Sequence, residues 1–121
     1  MTAGKTWVPD RGDVIWIQFN PRAGDIEMKD EHPMLVLTTR AFNERTGLVI
    51  GLPMTHSERN EANPFAVKYV GPRDEVAYIL THQPKSLDWH ERAARPHPWK
   101  ALPKTAFDNV CEELNSILQI G

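Results

Sequence analysis

Cysteine is nearly missing from this chain: of 121 residues only Cys111 is a cysteine, so no internal disulfide can form. That scarcity fits a reducing compartment, and a cytoplasmic location is the expectation. No stretch approaches the roughly 18 consecutive apolar residues needed to span a bilayer. The opening Met1-Thr2-Ala3-Gly4-Lys5 has no apolar run behind it, so no secretory signal is expected. There is no glycine-rich phosphate loop and no Gly-x-Ser-x-Gly elbow. His90 and His97 stand seven residues apart across prolines, and no Cys/His/Asp cluster has zinc-like spacing, so no metal site is expected. Repeats, low-complexity tracts and interdomain linkers are also lacking.

At 40% apolar composition the chain can bury a core without staples, and residues 1–121 read as a single domain. The net charge of −2 argues against a generic polyanion binder. Between Pro84 and Lys104, however, five Lys/Arg face two acids, so one end of the molecule has a positive bias.

Gly12-Asp13 opens a strand in which Val14, Trp16 and Gln18 alternate with Ile15, Ile17 and Phe19. Asn20-Pro21-Arg22-Ala23-Gly24 ends it, and a charged loop runs to Pro33. Residues Met34–Thr39 predict a strand covered on both faces, Arg40–Thr46 a connector closed by Gly47, and Leu48–Met54 a strand. Gly51 marks a bulge or a close backbone approach. A polar loop, His56–Asn63, precedes strands Phe65–Val70 and Glu75–Thr81 around the Gly71-Pro72-Arg73-Asp74 turn. Ser86–Trp89 reads as a short strand or turn, and Pro96, His97 and Pro98 argue against any regular element there. After Pro103, the residues Phe107, Val110, Cys111, Leu114, Ile117 and Leu118 form one apolar stripe of an amphipathic helix. Five short strands and one terminal helix predict a mainly β fold, a small, partly open β-barrel closed at one end by the helix. Trp7 and Trp16 read as core or interface residues, and Cys111 as a small core hydrophobe.

With metal and Ser/Cys nucleophiles set aside, acid–base chemistry remains. Histidine takes and gives protons near neutrality. His32 ends the charged loop, His82 ends a strand before Gln83-Pro84, and Thr55 ends another strand with a hydroxyl to offer. Three strand ends at one rim of a small barrel can converge on a substrate. Arg22, Lys29, Arg59 and Lys85 lie in or beside the loops bordering that rim.

An ordered set of motifs resembles the MazF/PemK toxins, endoribonucleases of bacterial toxin–antitoxin modules. They are Val8-Pro9-x-x-Gly12-Asp13-x-x-Trp16, Phe19-Asn20-Pro21-Arg22-Ala23-Gly24, Pro33-Met34-Leu35-Val36-Leu37 and Phe42-Asn43-x-x-Thr46-Gly47. Leu52-Pro53-Met54-Thr55, Asn63-Pro64-Phe65-Ala66-Val67 and Gln83-Pro84-Lys85-Ser86-Leu87-Asp88-Trp89 continue the series. The resemblance implies an SH3-like barrel, a homodimer, a cognate antitoxin, and cofactor-free, metal-independent cleavage of single-stranded RNA by its own 2′-hydroxyl. It places a loop carboxylate at Glu27 and the strand-end hydroxyl at Thr55. Ser57 and Gln83, with the four cations above, complete the expected RNA contacts. Much of the family has arginine where this chain has His32, and often aspartate where it has His82. The expectation is therefore an acid–base pair, His32 and His82, with Thr55 orienting the phosphate. Two alternatives stay open: a non-enzymatic gyrase-binding toxin resembling CcdB, and a catalytically silent RNA-binding member.

Overall fold

The computed structural model describes residues 7–19 and 31–121. Seven strands form one antiparallel sheet: β1 (Asp13–Gln18), β2 (Glu31–Val36), β3 (Leu48–Thr55), β4 (Ala66–Val70), β5 (Val76–Leu80), β6 (Lys85–Asp88) and β7 (Arg95–Ala101). Helix α1 (Arg40–Thr46) joins β2 to β3, and helix α2 (Lys104–Leu118) ends the chain. The strand order is β4-β5-β3-β2-β1-β7, with β6 also on β3. β3 is long enough to serve two partners along one edge. Its C-terminal end pairs with β5 (Thr55↔Tyr78) and its N-terminal half with β6 (Gly51↔Lys85). Residues 81–84 carry the chain between them. β2 takes the other edge, through Met34↔Pro53 and Val36↔Gly51.

Both faces of the central strands are covered, which is why Met34-Leu35-Val36 is a continuous apolar run, all of it inaccessible to solvent. On one face Val14, Leu35, Leu52, Met54 and Ile79 pack with Phe107 and Val110 of α2. On the other, Ile15, Ile17, Met34, Val36 and Val49 pack with Trp89, joined by Trp7, Phe19 and Leu87. Each such side chain contributes about 1.5–3 kcal/mol of burial. Gly51 is a close approach, since an added Cβ there would run into the Leu35 carbonyl oxygen.

The sheet's two end strands meet without a ladder. Trp99 on β7 packs edge-on against Tyr69 of β4, centroids 5.4 Å apart, and lies over Gly71 at the β4–β5 turn. Side chains thus close the seam of an otherwise partly open barrel.

Four local expectations need correction. Residues 40–46 are not a plain connector but a helix: the Thr39 hydroxyl accepts from the Phe42 amide and Gly47 closes it at φ 76°. The sequence after 95 does hold a regular element, β7, because Pro96 and Pro98 sit on an edge strand with a register shift beside Ile15. β2 starts at Glu31 rather than Met34 and ends at Val36. It runs through Pro33 because its ladder with β3 stops at Met34, so the missing proline amide leaves no ladder bond unmade there. The apolar stripe of α2 is core only in its first turns, since Ile117 and Leu118 remain 40% and 45% exposed. Cys111 packs half-buried against the core, and burial pushes its thiol up, as a small hydrophobe would have it.

Candidate active site

Strand alternation decides which side chains share a face. Because His32 and Met34 are two apart on β2, both point to the face covered by Phe19, Ile17 and Trp89. Thr55, two residues past Pro53 on β3, projects by the same alternation to this face, beyond the last β2–β3 pair, Met34↔Pro53. Lys85, opposite Gly51, emerges on the same face. Contacts agree with this geometry. The exposed His32 ring lies 4.9 Å from the Phe19 ring, and Lys85 Nζ lies 5.7 Å from the same ring centre. One phenyl group therefore supports both an imidazole and an ammonium, on the face to which Thr55 also projects. Thr55 is half-buried, and its Oγ1 accepts the Ser57 amide at 3.2 Å. A hydroxyl fixed in this way still has its own proton to donate.

His82 is exposed in the turn between β5 and β6, three residues before Lys85. Its ring packs 5.7 Å from Phe65, and its Nε2 lies 3.3 Å from Gln83 Nε2. Thr81, buried beneath it, anchors the turn: its hydroxyl donates to the Phe65 carbonyl at 2.6 Å. His32 and His82 share no hydrogen bond with one another among the described residues. Each stands on its own aromatic support, on elements that flank β3.

Ser57 precedes a 3₁₀ turn, Glu58–Ala62, which carries the exposed Arg59. Glu27, Arg22 and Lys29 lie outside the described residues. The sequence reading passed over three supports of this face. Phe19 was detectable from its alternation with Ile17 and Ile15. Phe65 was hidden inside a strand assignment. Tyr78 sits opposite Thr55, and its phenol donates to Glu61 Oε2, while Lys68 Nζ donates to Glu61 Oε1 at 3.2 Å. The Tyr78 bond, with Lys68 adding, lowers the Glu61 pKa, and the same bond pushes the phenol up to about 12. The 3₁₀ turn is thereby tied to the strand behind Thr55.

His56, one step beyond Thr55, takes the opposite face. Its Nδ1 donates to the Val76 carbonyl at 2.7 Å. It helps line a cleft of about 650 Å³ with Trp16, Arg73, Glu75, His97 and Trp99.

An antiparallel half-barrel capped by a C-terminal helix, with His32, Thr55 and Lys85 on one sheet face and His82 on the adjoining turn, has the architecture of a class of small toxins. The chain belongs to the PemK-like, MazF-like toxins of type II toxin–antitoxin systems, whose family profile matches residues 10–118. It is 38% identical over 89 residues to the endoribonuclease toxin MazF of Escherichia coli (strain K12), covering 73% of this chain and 76% of that protein. The crystal structure of MazF from Deinococcus radiodurans superposes with a TM-score of 0.78 at 30% identity, covering 95% of this chain and 100% of that one. A MazE–MazF complex from the same organism also matches at TM-score 0.78, with 28% identity over 96% of this chain and 100% of that one. Among the described residues no helix is long and apolar enough to cross a membrane.

Proposed function

We propose that this chain is the toxin of a type II toxin–antitoxin module, an endoribonuclease that cuts single-stranded RNA, mRNA included, at a short motif. Its relatives named as endoribonucleases support the activity, and that name favours cleavage over gyrase binding. The MazE–MazF complex supports a cognate antitoxin as partner; a homodimer acting in the cytoplasm completes the proposal.

The observation that carries the chemistry is the shared face of His32, Thr55 and Lys85, with His82 on the adjoining turn. The RNA supplies its own nucleophile. One imidazole removes the 2′-hydroxyl proton as that oxygen attacks the neighbouring phosphorus. The 5′-oxygen leaves and takes a proton from the second, giving a 2′,3′-cyclic phosphate and a 5′-hydroxyl end. The Thr55 hydroxyl and the Lys85 ammonium hold the phosphate and offset charge on the phosphorane. Where relatives use a permanently charged arginine, this chain divides the work: His32 moves a proton and Lys85 supplies fixed charge.

Purified protein should cut a mixed-sequence RNA in EDTA at discrete positions, leaving 5′-hydroxyl ends. Alanine at His32 or at His82 should lower the cleavage rate about 10²–10⁴-fold with RNA binding largely kept. The wild-type rate should pass through a maximum near neutral pH. Full activity in both alanine variants would refute the two-imidazole mechanism while leaving the nuclease itself standing.

A further inference from the structure

The cleft behind the catalytic face has the features of a built site. It opens beside the seam where Trp99 meets Tyr69 and Gly71, with Trp16 of β1 also in its wall. Glu75 lines it, and neither of its carboxylate oxygens has a hydrogen-bond partner among the described residues; Oε1 is buried and Oε2 is not. A carboxylate only accepts, so this group faces the cleft with unused acceptor capacity that an N–H donor would fill.

Two imidazoles beside it are fixed in tautomer by their other bonds. The Trp99 amide donates to His97 Nδ1 at 3.0 Å, which leaves the proton on His97 Nε2. That ring stacks on Trp16 with centroids 4.6 Å apart. His56 Nδ1 donates to the Val76 carbonyl, so its Nε2 is free to accept. Arg73 adds a guanidinium at the exposed lip. Two indoles, a lone carboxylate and nearby N–H donors therefore face one space.

We propose that this cleft binds a guanine base. Guanine alone among the RNA bases presents adjacent N1–H and N2–H donors, the complement of a carboxylate. Its O6 and N7 are acceptors, suited to His97 Nε2–H and Arg73. Unstacked RNA bases are commonly read in this way, with an aromatic wall for the ring and polar groups for the edge. Adenine and cytosine offer Glu75 one exocyclic amine next to a ring acceptor, and uracil offers a single ring N–H. The base arrives on a free guanine nucleotide or as a guanosine of RNA. The second source rests on the ribonuclease reading; the pocket's preference for guanine does not.

The test is titration of the full chain with GMP, AMP, CMP and UMP, followed by tryptophan fluorescence and calorimetry. GMP should bind saturably and at least about tenfold more tightly than the other three. Glu75→Gln places an N–H against the guanine donors and should erase the preference, with an unchanged circular dichroism spectrum confirming the fold. A 2′-deoxy tetranucleotide holding one guanosine separates the sources. Tighter binding than GMP assigns the cleft to RNA, and equal affinity assigns it to free nucleotide. Equal affinity for all four mononucleotides, no binding, or an unaltered Glu75→Gln titration would overturn the proposal. Because no cleavage is measured, those results stand apart from any failure of the ribonuclease reading.

Discussion

His97 shows how one burial event sets a pH response. Burial disfavours the charged imidazolium and lowers its pKa; the nearby His56 and Arg95 add to the shift and Glu75 opposes it. Above the ordinary histidine value of about 6.5 the ring is neutral in both folded and unfolded chains, and its full contribution is present. As pH falls below that value the unfolded chain takes up the proton first. Stability is then lost until pH drops past the lower folded pKa. Urea midpoints should therefore fall with pH over this window, and His97→Gln should flatten the slope. This could not be read beforehand. Pro96 and Pro98 pointed to irregular chain, which hid both the strand carrying His97 and the Trp16 ring it meets. The place of Thr55 at a strand end, by contrast, was legible, because a strand ending in a hydroxyl leaves a mark in the order of residues; His32, expected at the end of a loop, lies inside β2.

The elements around the site are held by side chains more than by ladder length. The 3₁₀ turn Glu58–Ala62 has no side-chain cap, and its tether is Glu61 with Tyr78 and Lys68. Tyr78→Phe should raise amide hydrogen exchange across residues 57–63 while β2 and β3 keep their protection. Equal protection in wild type and variant would show that the tether is dispensable. Strand content was legible where apolar periodicity is strong, as in β1 and β3. It failed at α1, whose helix depends on the Thr39 cap and the Gly47 stop rather than on an apolar stripe. The last turns of α2 misled in the opposite sense, since periodicity reports which residues share a helix face but not whether anything covers it.

For the molecule as a whole, a net charge of −2 requires that RNA affinity come from local cations. Among the described residues Lys85, seated on the Phe19 ring that also meets His32, lies on the proposed catalytic face. Lys85→Ala should weaken binding to every single-stranded sequence alike. It should also make the log–log slope of affinity against salt shallower by about 0.7, the value for one phosphate contact on a single strand. An unchanged slope would remove Lys85 from the phosphate path. The barrel itself was foreseeable from short apolar strands, turns and terminal helix, although five strands were expected and seven form among the described residues. Its closure was not, because the seam relies on Trp99 against Tyr69 and Gly71, an encounter between residues roughly thirty positions apart with no periodic signal.

Thr55 and His56 are successive residues at one strand end, one on the proposed catalytic face and the other in the rear cleft. A single peptide unit is thus the fulcrum between two compartments. A base seated behind it would load that fulcrum, so the hydroxyl in front would be trued or tilted according to which letter the back compartment had accepted.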